Sequence, residues 1–155
     1  MGGEWVCQEH VRQHESIDAI YPGSVNTLRI VTYLTGQGVG ACPITLRIDE
    51  GYLGDEAFTE YRISYSSHPD TGTVFKGYRI VGVSKAIEAV KRCHLSVGEF
   101  GFISWDVCID REGRPTLLEV NLDSQTVWFP QMASGRSMFG DDTPAVVKAF
   151  RHRVT

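Results

Sequence analysis

The chain has 155 residues, 42% of them hydrophobic and 22% charged, a balance that excludes a disordered or membrane-embedded chain and suits one globular core. A chain of this length buries roughly two-thirds of its unfolded surface, so it needs no metal or disulfide to fold. The formal charge of −4, with Lys and Arg scattered instead of forming a stripe, gives no broad attraction to nucleic acid or anionic lipid, and phosphate recognition has to be local.

Residues 4–11 (EWVCQEHV) alternate in polarity after Gly2 and Gly3 and predict a strand. The turn signal Tyr21-Pro22-Gly23-Ser24 precedes residues 26–34 (NTLRIVTYL), whose β-branched content predicts a second. After Gly36-Gln37-Gly38, residues 40–48 alternate as Ala41, Pro43, Thr45, Arg47 against Cys42, Ile44, Leu46, Ile48, the pattern of a hairpin partner with one buried face. Residues 58–65 and 73–80 read as short strands on either side of a loop over 66–72. Residues 84–94 predict a helix, with Ser84 as N-cap and Ile87, Val90 and Lys91 at helical spacing. Residues 100–109 and 115–121 predict two strands joined by a turn around Gly113. A last helix is expected after Asp141-Asp142-Thr143, with Pro144 in its first turn and Val146, Val147 and Phe150 on its apolar side. With no repeat or linker to divide it, the chain reads as a single α+β domain, a mostly antiparallel sheet with packed helices.

Cys7, Cys42, Cys93 and Cys108 show no CxxC or CxxH spacing and read as reduced, buried thiols. No run reaches about 18 apolar residues, and the start lacks a basic region followed by an apolar one. The expectation is a cytoplasmic protein with no membrane or nucleic-acid partner.

The chemistry concentrates on the second hairpin. Asp106 lies on its first strand, and Glu119 and Asn121 lie two apart on its second, so the latter two share a face. Folding about Gly113 brings Asp106 opposite them. Two carboxylates and an amide oxygen are hard donors that suit Mg²⁺ or Mn²⁺, and Mg²⁺ favours a few carboxylates plus substrate phosphates over a complete protein cage. Acidic residues on a hairpin are more often simply solvated. Against that, Glu119 sits among Leu117, Leu118 and Val120, and Asp106 among Ile103, Trp105, Val107 and Cys108, where an unpartnered carboxylate is costly.

The run Trp105-Asp106-Val107-Cys108-Ile109, a Gly turn, then Leu117-Leu118-Glu119-Val120-Asn121 resembles the metal-binding hairpin of the ATP-grasp superfamily. The segment from Ser24 through Thr32, the second strand arginine Arg47 and the His68-Pro69-Asp70-Thr71-Gly72 element extend the likeness to its sugar-transfer associated branch. The resemblance implies Mg²⁺ held by Asp106, Glu119 and Asn121 against ATP, and phosphate contact by Arg29 and Arg47. It implies a hinge strand in which Gln8, Glu9, His10 and Val11 line the base and ribose, with Leu117 a further cofactor contact. It also implies activation of a carboxylate as an acylphosphate for attack by an amine or thiol. Such enzymes have an N-terminal part with two lysines and a glycine-rich loop over the phosphates. Starting at the hinge, this chain is expected to be the C-terminal half only. Ser104 stands where amino-acid ligases carry an arginine two residues before the metal Asp.

Bland readings stand beside these. A strand arginine is usually solvated or salt-bridged; His68 is a candidate general base, although a loop histidine is usually exposed; and Asp123, Ser124 and Gln125, where the chain leaves the sheet beside the metal, are candidates to reach the acceptor, with a simple helix cap by Asp123 or Ser124 as the alternative. His10, His14 and His94 have no spacing that suggests a metal. Trp5, Trp105, Trp128 and Phe129 read as core or interface groups. The expected partners are ATP, a carboxylate acceptor of unknown identity, an N-terminal ATP-grasp part on another chain and a second copy of this chain, since the uncovered hinge face around Trp5 and Val11 invites dimerisation. The alternatives are a nucleotide- or metal-binding module without turnover and a dimerising scaffold that keeps the fold alone.

Overall fold

The computed structural model describes residues 9–48, 66–123 and 128–151. The strand expected over 58–65 and the first part of that over 4–11 lie outside them. Residues 9–12 are not a strand; Gln13 makes one isolated bridge to Asp110, and His14 N donates to Ile109 O at 3.0 Å.

A short helix α1 (Glu15–Asp18) leads into β1 (Thr27–Thr35), the hub of the sheet. On one side β1 pairs antiparallel with β2 (Gly38–Ala41) and β3 (Thr45–Arg47); on the other it pairs with β4 (Phe102–Ile109), which pairs with β5 (Pro115–Asn121). The order is β2-β1-β4-β5, with β3 beside β1. The single strand expected over 40–48 is therefore two, broken around Cys42-Pro43-Ile44. Cys42 N still donates to Val31 O at 2.8 Å, but Pro43 has no N–H for the ladder.

Strand alternation gives the sheet two buried faces. Leu28, Ile30, Ile103, Trp105, Val107 and Ile109 point to one face, against Ala86 and Val90 of α2 (Val83–Ser96). Val31, Tyr33 and Cys42 point to the other, against Val146 of α4 (Thr143–Arg151) and the flanking Phe102, Met138, Phe139 and Phe150. Phe150 stacks on Phe102 with ring centroids 4.6 Å apart. A helix α3 (Trp128–Ser134), absent from the sequence reading, and a 3₁₀ turn (Gly140–Asp142) precede α4.

Several local expectations change. Helix α2 starts one residue before Ser84, after Gly82 at φ +88, with no side-chain cap. A Cβ at Gly82 would lie 3.0 Å from the Gly113 carbonyl oxygen, so helix start and hairpin turn approach as closely as backbone allows. Residues 73–80 are not a strand: only Val74 bridges to Ser67, and the Thr71 and Thr73 hydroxyls instead donate to the carbonyls of Ile20 and Ala19. In α4 the stripe Val146–Phe150 faces the sheet at i,i+4 spacing, which leaves Val147 on the flank at 44% exposure. Cys93 is exposed, unlike Cys42 and Cys108, because the buried stripe of α2 is Ala86, Val90 and His94.

The α2 face also holds a polar network. Trp105 Nε1 donates to Thr32 Oγ1 at 2.7 Å, Thr32 Oγ1 lies 2.6 Å from His94 Nδ1, and His94 Nε2 lies 3.0 Å from Phe100 O. A carbonyl only accepts, so Nε2 carries the proton and Nδ1 takes the threonine hydroxyl. Trp105 is core, as its apolar surroundings predicted.

Candidate functional site

The site lies on the face of the sheet that carries Val31 and Tyr33, against which α4 packs. Register sets three strands in rows: Tyr33 beside Phe102, then Val31–Ser104–Asn121, then Arg29–Asp106–Glu119. The face thus passes in two rungs from a phenylalanine cluster to a row of charges. Arg47 joins from β3, which pairs with the same end of β1.

Asp106 is 3% exposed, and it has the partner its apolar setting demanded. Arg29 grips it with both prongs, Nε to Oδ1 at 2.6 Å and Nη2 to Oδ2 at 2.7 Å, and Arg47 Nη1 reaches Oδ2 at 3.1 Å. The forked, charge-assisted geometry is the strong form of such a pair. Glu119 stands next in the row and is exposed, so the argument that its apolar neighbours bury it fails: Leu117 and Val120 are themselves 46% and 39% exposed. Among the described residues β5 lies at the end of the strand order, where alternation no longer implies burial. With Glu119 ionised the row and Arg47 sum to zero charge, two guanidiniums against two carboxylates.

Behind this row, Ser104 Oγ and Asn121 Nδ2 are buried without a hydrogen-bond partner. Ser104 was noted in the sequence only for the arginine it replaces; the signal available was its period-2 alignment with Asp106. The hairpin is held from its turn. Asp110 Oδ1 accepts from Arg114 N at 2.8 Å and Glu112 N at 3.1 Å, and Oδ2 from Arg114 Nε at 2.7 Å. Against some loss of hydration, these bonds from Arg114 hold the Asp110 carboxyl below its usual range. Gly113 turns the chain at φ +72. The register slips by one between the pairs Asp106–Glu119 and Val107–Leu117, so Leu117 sits opposite a residue of the α2 face.

Of the remaining sequence candidates, Glu9 and His10 are exposed and Val11 is half-buried, in irregular chain; Gln8 lies outside the described residues. His68 is buried, not exposed: its ring stacks on Tyr21 at 5.1 Å, Nδ1 accepts from Asp70 N at 3.3 Å, and Nε2 is buried without a partner. Trp128, expected in a core or interface, is 49% exposed. A separate open cleft of about 700 Å³ lies along β2, between Ile87 and Lys91 on one side and Phe139 and Asp142 on the other; none of the charged row lines it. Within it burial pushes the Cys42 thiol up to about 12, and burial plus the hydrogen bond to Asp142 Oδ2 (2.9 Å) raises the Tyr33 phenol. Among the described residues, no helix is long and apolar enough to cross a membrane.

The antiparallel sheet with its packed helices is an α+β arrangement consistent with a subdomain of the ATP-grasp fold, which is ATP-binding and ligase-like. The chain belongs to the sugar-transfer associated ATP-grasp family, whose model matches residues 39–146, well over half of the sequence. Arg47, Asp106, Glu119 and Asn121 fall within the match and Arg29 precedes it. Neither a curated protein nor a solved structure matches the chain.

Proposed function

We propose that this domain binds ATP with Mg²⁺ or Mn²⁺ at the Arg29–Asp106–Glu119 row and forms half of a carboxylate–amine or carboxylate–thiol ligase. The observation that carries the reading is the row itself: two guanidiniums and two carboxylates side by side on a sheet face, in a chain of this family. Glu119, Asn121 and Asp106 offer hard oxygen donors, and Arg29 and Arg47 offer forks matched to phosphate. Asn121 lies on the adjoining rung, two residues from Glu119 and opposite Ser104, so its amide oxygen can join the carboxylates of the row. Both Asp106 oxygens are taken by guanidinium, so the row suits a cation arriving with phosphates: the phosphates draw the arginines away and free the carboxylate.

When bound, the cation neutralises charge on the phosphates as the γ-phosphoryl group leaves ADP. Arg29 and Arg47 hold the phosphate oxygens in line, and the sheet excludes water from their rear. The acceptor carboxylate oxygen attacks the γ-phosphorus, breaking its bond to the β-phosphate bridging oxygen. An amine or thiol then attacks the acyl carbon and releases inorganic phosphate. In this reading Gln8, Glu9, His10 and Val11 line the base and ribose, and Leu117, set opposite Val107, stands on the other face of the hairpin from the charged row. The phosphate-covering lysines and loop come from outside the described residues, on a partner part, and the exposed Leu117, Val120 and Trp128 support packing against it or a second copy.

One observation favours the scaffold reading: both Asp106 carboxylate oxygens accept from arginine, the arrangement of a structural ion pair. Calorimetric titration of Mg²⁺·ATP into the wild type, Glu119→Gln and Asp106→Asn/Glu119→Gln separates the two. Binding weakened at least about tenfold by Glu119→Gln, or about 1.4 kcal/mol, supports the site. No binding to the wild type leaves the fold as scaffold.

A further inference from the structure

Five buried polar atoms of the described residues have no hydrogen-bond partner, and two belong to residues paired on one rung: Ser104 Oγ and Asn121 Nδ2. Ser104 is 0% exposed; its other neighbour on the rung, Val31, offers no polar side chain. Directly opposed residues on a sheet face have Cβ atoms about 4.5–5.5 Å apart, so side-chain rotation alone brings a serine oxygen and an amide nitrogen into hydrogen-bond range. With Nδ2 the buried end of the Asn121 amide, Oδ1 is the end left for a ligand.

We propose that Ser104 is a positioning residue: its Oγ accepts a hydrogen bond from Asn121 Nδ2 and so holds Asn121 Oδ1 toward the cation beside Glu119. This rests on the metal–nucleotide reading of the row. An amide is ambivalent: turned over, it presents N–H to a cation and repels it. A hydroxyl on the same rung, in a strand whose other flank is hydrocarbon, removes that ambiguity. A carboxylate at 121 needs no such partner, because both its ends are oxygen.

The test is Mn²⁺ binding at saturating ATP, read by electron spin resonance, for the wild type, Ser104→Ala, Ser104→Thr, Asn121→Asp and Ser104→Ala/Asn121→Asp. Ser104→Ala is expected to weaken Mn²⁺ binding by about 10-fold or more, the usual effect of losing a group that orients a metal ligand, and Ser104→Thr to stay within about 3-fold of wild type. In the Asn121→Asp background the alanine substitution should change nothing. Urea unfolding midpoints serve as the folding control, with every variant expected to keep a single cooperative transition, Ser104→Ala at a somewhat lower midpoint because it leaves Asn121 Nδ2 buried without its acceptor. Equal Mn²⁺ binding by wild type and Ser104→Ala overturns the proposal, as does the same loss in both backgrounds, which marks a merely structural effect. A wild type that binds no Mn²⁺·ATP overturns the metal–nucleotide reading, and the proposal with it.

Discussion

Replacing Asp106 with Asn keeps the shape of the side chain and removes the charge that two arginines share. Arg29 then faces an amide across contacts of 2.6 and 2.7 Å, and one of its N–H groups meets an N–H instead of an oxygen. Both side chains are largely out of water, at 13% and 5% exposure, and removing one partner of a buried pair costs about 3–5 kcal/mol. Arg47, at 27% exposure, is partly hydrated, which lowers the expected loss to about 2–3 kcal/mol. Equilibrium urea unfolding followed by tryptophan fluorescence measures it, with the slope m unchanged. In thermal unfolding the same loss lowers Tm by about 5–10 °C for a domain of this size. A cycle with Arg29→Gln and the double mutant should give a coupling of about 1.5 kcal/mol or more. A loss below about 0.5 kcal/mol, the range of an ordinary surface substitution, would refute the argument that Asp106 needs its arginines.

Thr32→Val keeps the packing but strands Trp105 Nε1 and His94 Nδ1; urea unfolding should show a loss of about 2–4 kcal/mol, most of it recovered in Thr32→Ser. Gly40→Ala places a Cβ 2.3 Å from the Tyr33 ring, itself held by Phe139 and Asp142, and should cost about 1–3 kcal/mol, whereas Gly36→Ala, with nothing within 4 Å, should cost far less. Alkali should destabilise the fold through Tyr33 and Cys42. Both are raised in the folded state, so their contribution is complete below the ordinary values of 10.0 and 9.0 and is lost as pH climbs through the folded ones. Unfolding free energy should therefore fall above about pH 9, with a shallower fall in Cys42→Ala, and a flat profile would contradict the assignment.

By itself the sequence determined the elements whose signal is local. β-branched runs and period-2 alternation mark β1, β4 and β5, helical spacing marks α2 and α4, and Gly113 marks the turn that sets Asp106 opposite Glu119. Asp106 was legible as a residue that needed a partner, because a carboxylate among Trp105, Val107 and Cys108 is costly alone. Which partner it has was decided only in the tertiary structure: Arg29 lies 77 residues away in the chain, and strand pairing, not spacing, sets the two side by side. The same reason hid the Thr32–His94–Trp105 network and the burial of His68, each made by contacts between distant segments. It also reversed the reading of Glu119, since burial depends on whether another strand lies beside β5 and not on Leu117 and Val120. Local pattern fixes the direction in which a side chain leaves its strand; only the assembled sheet decides what it meets there.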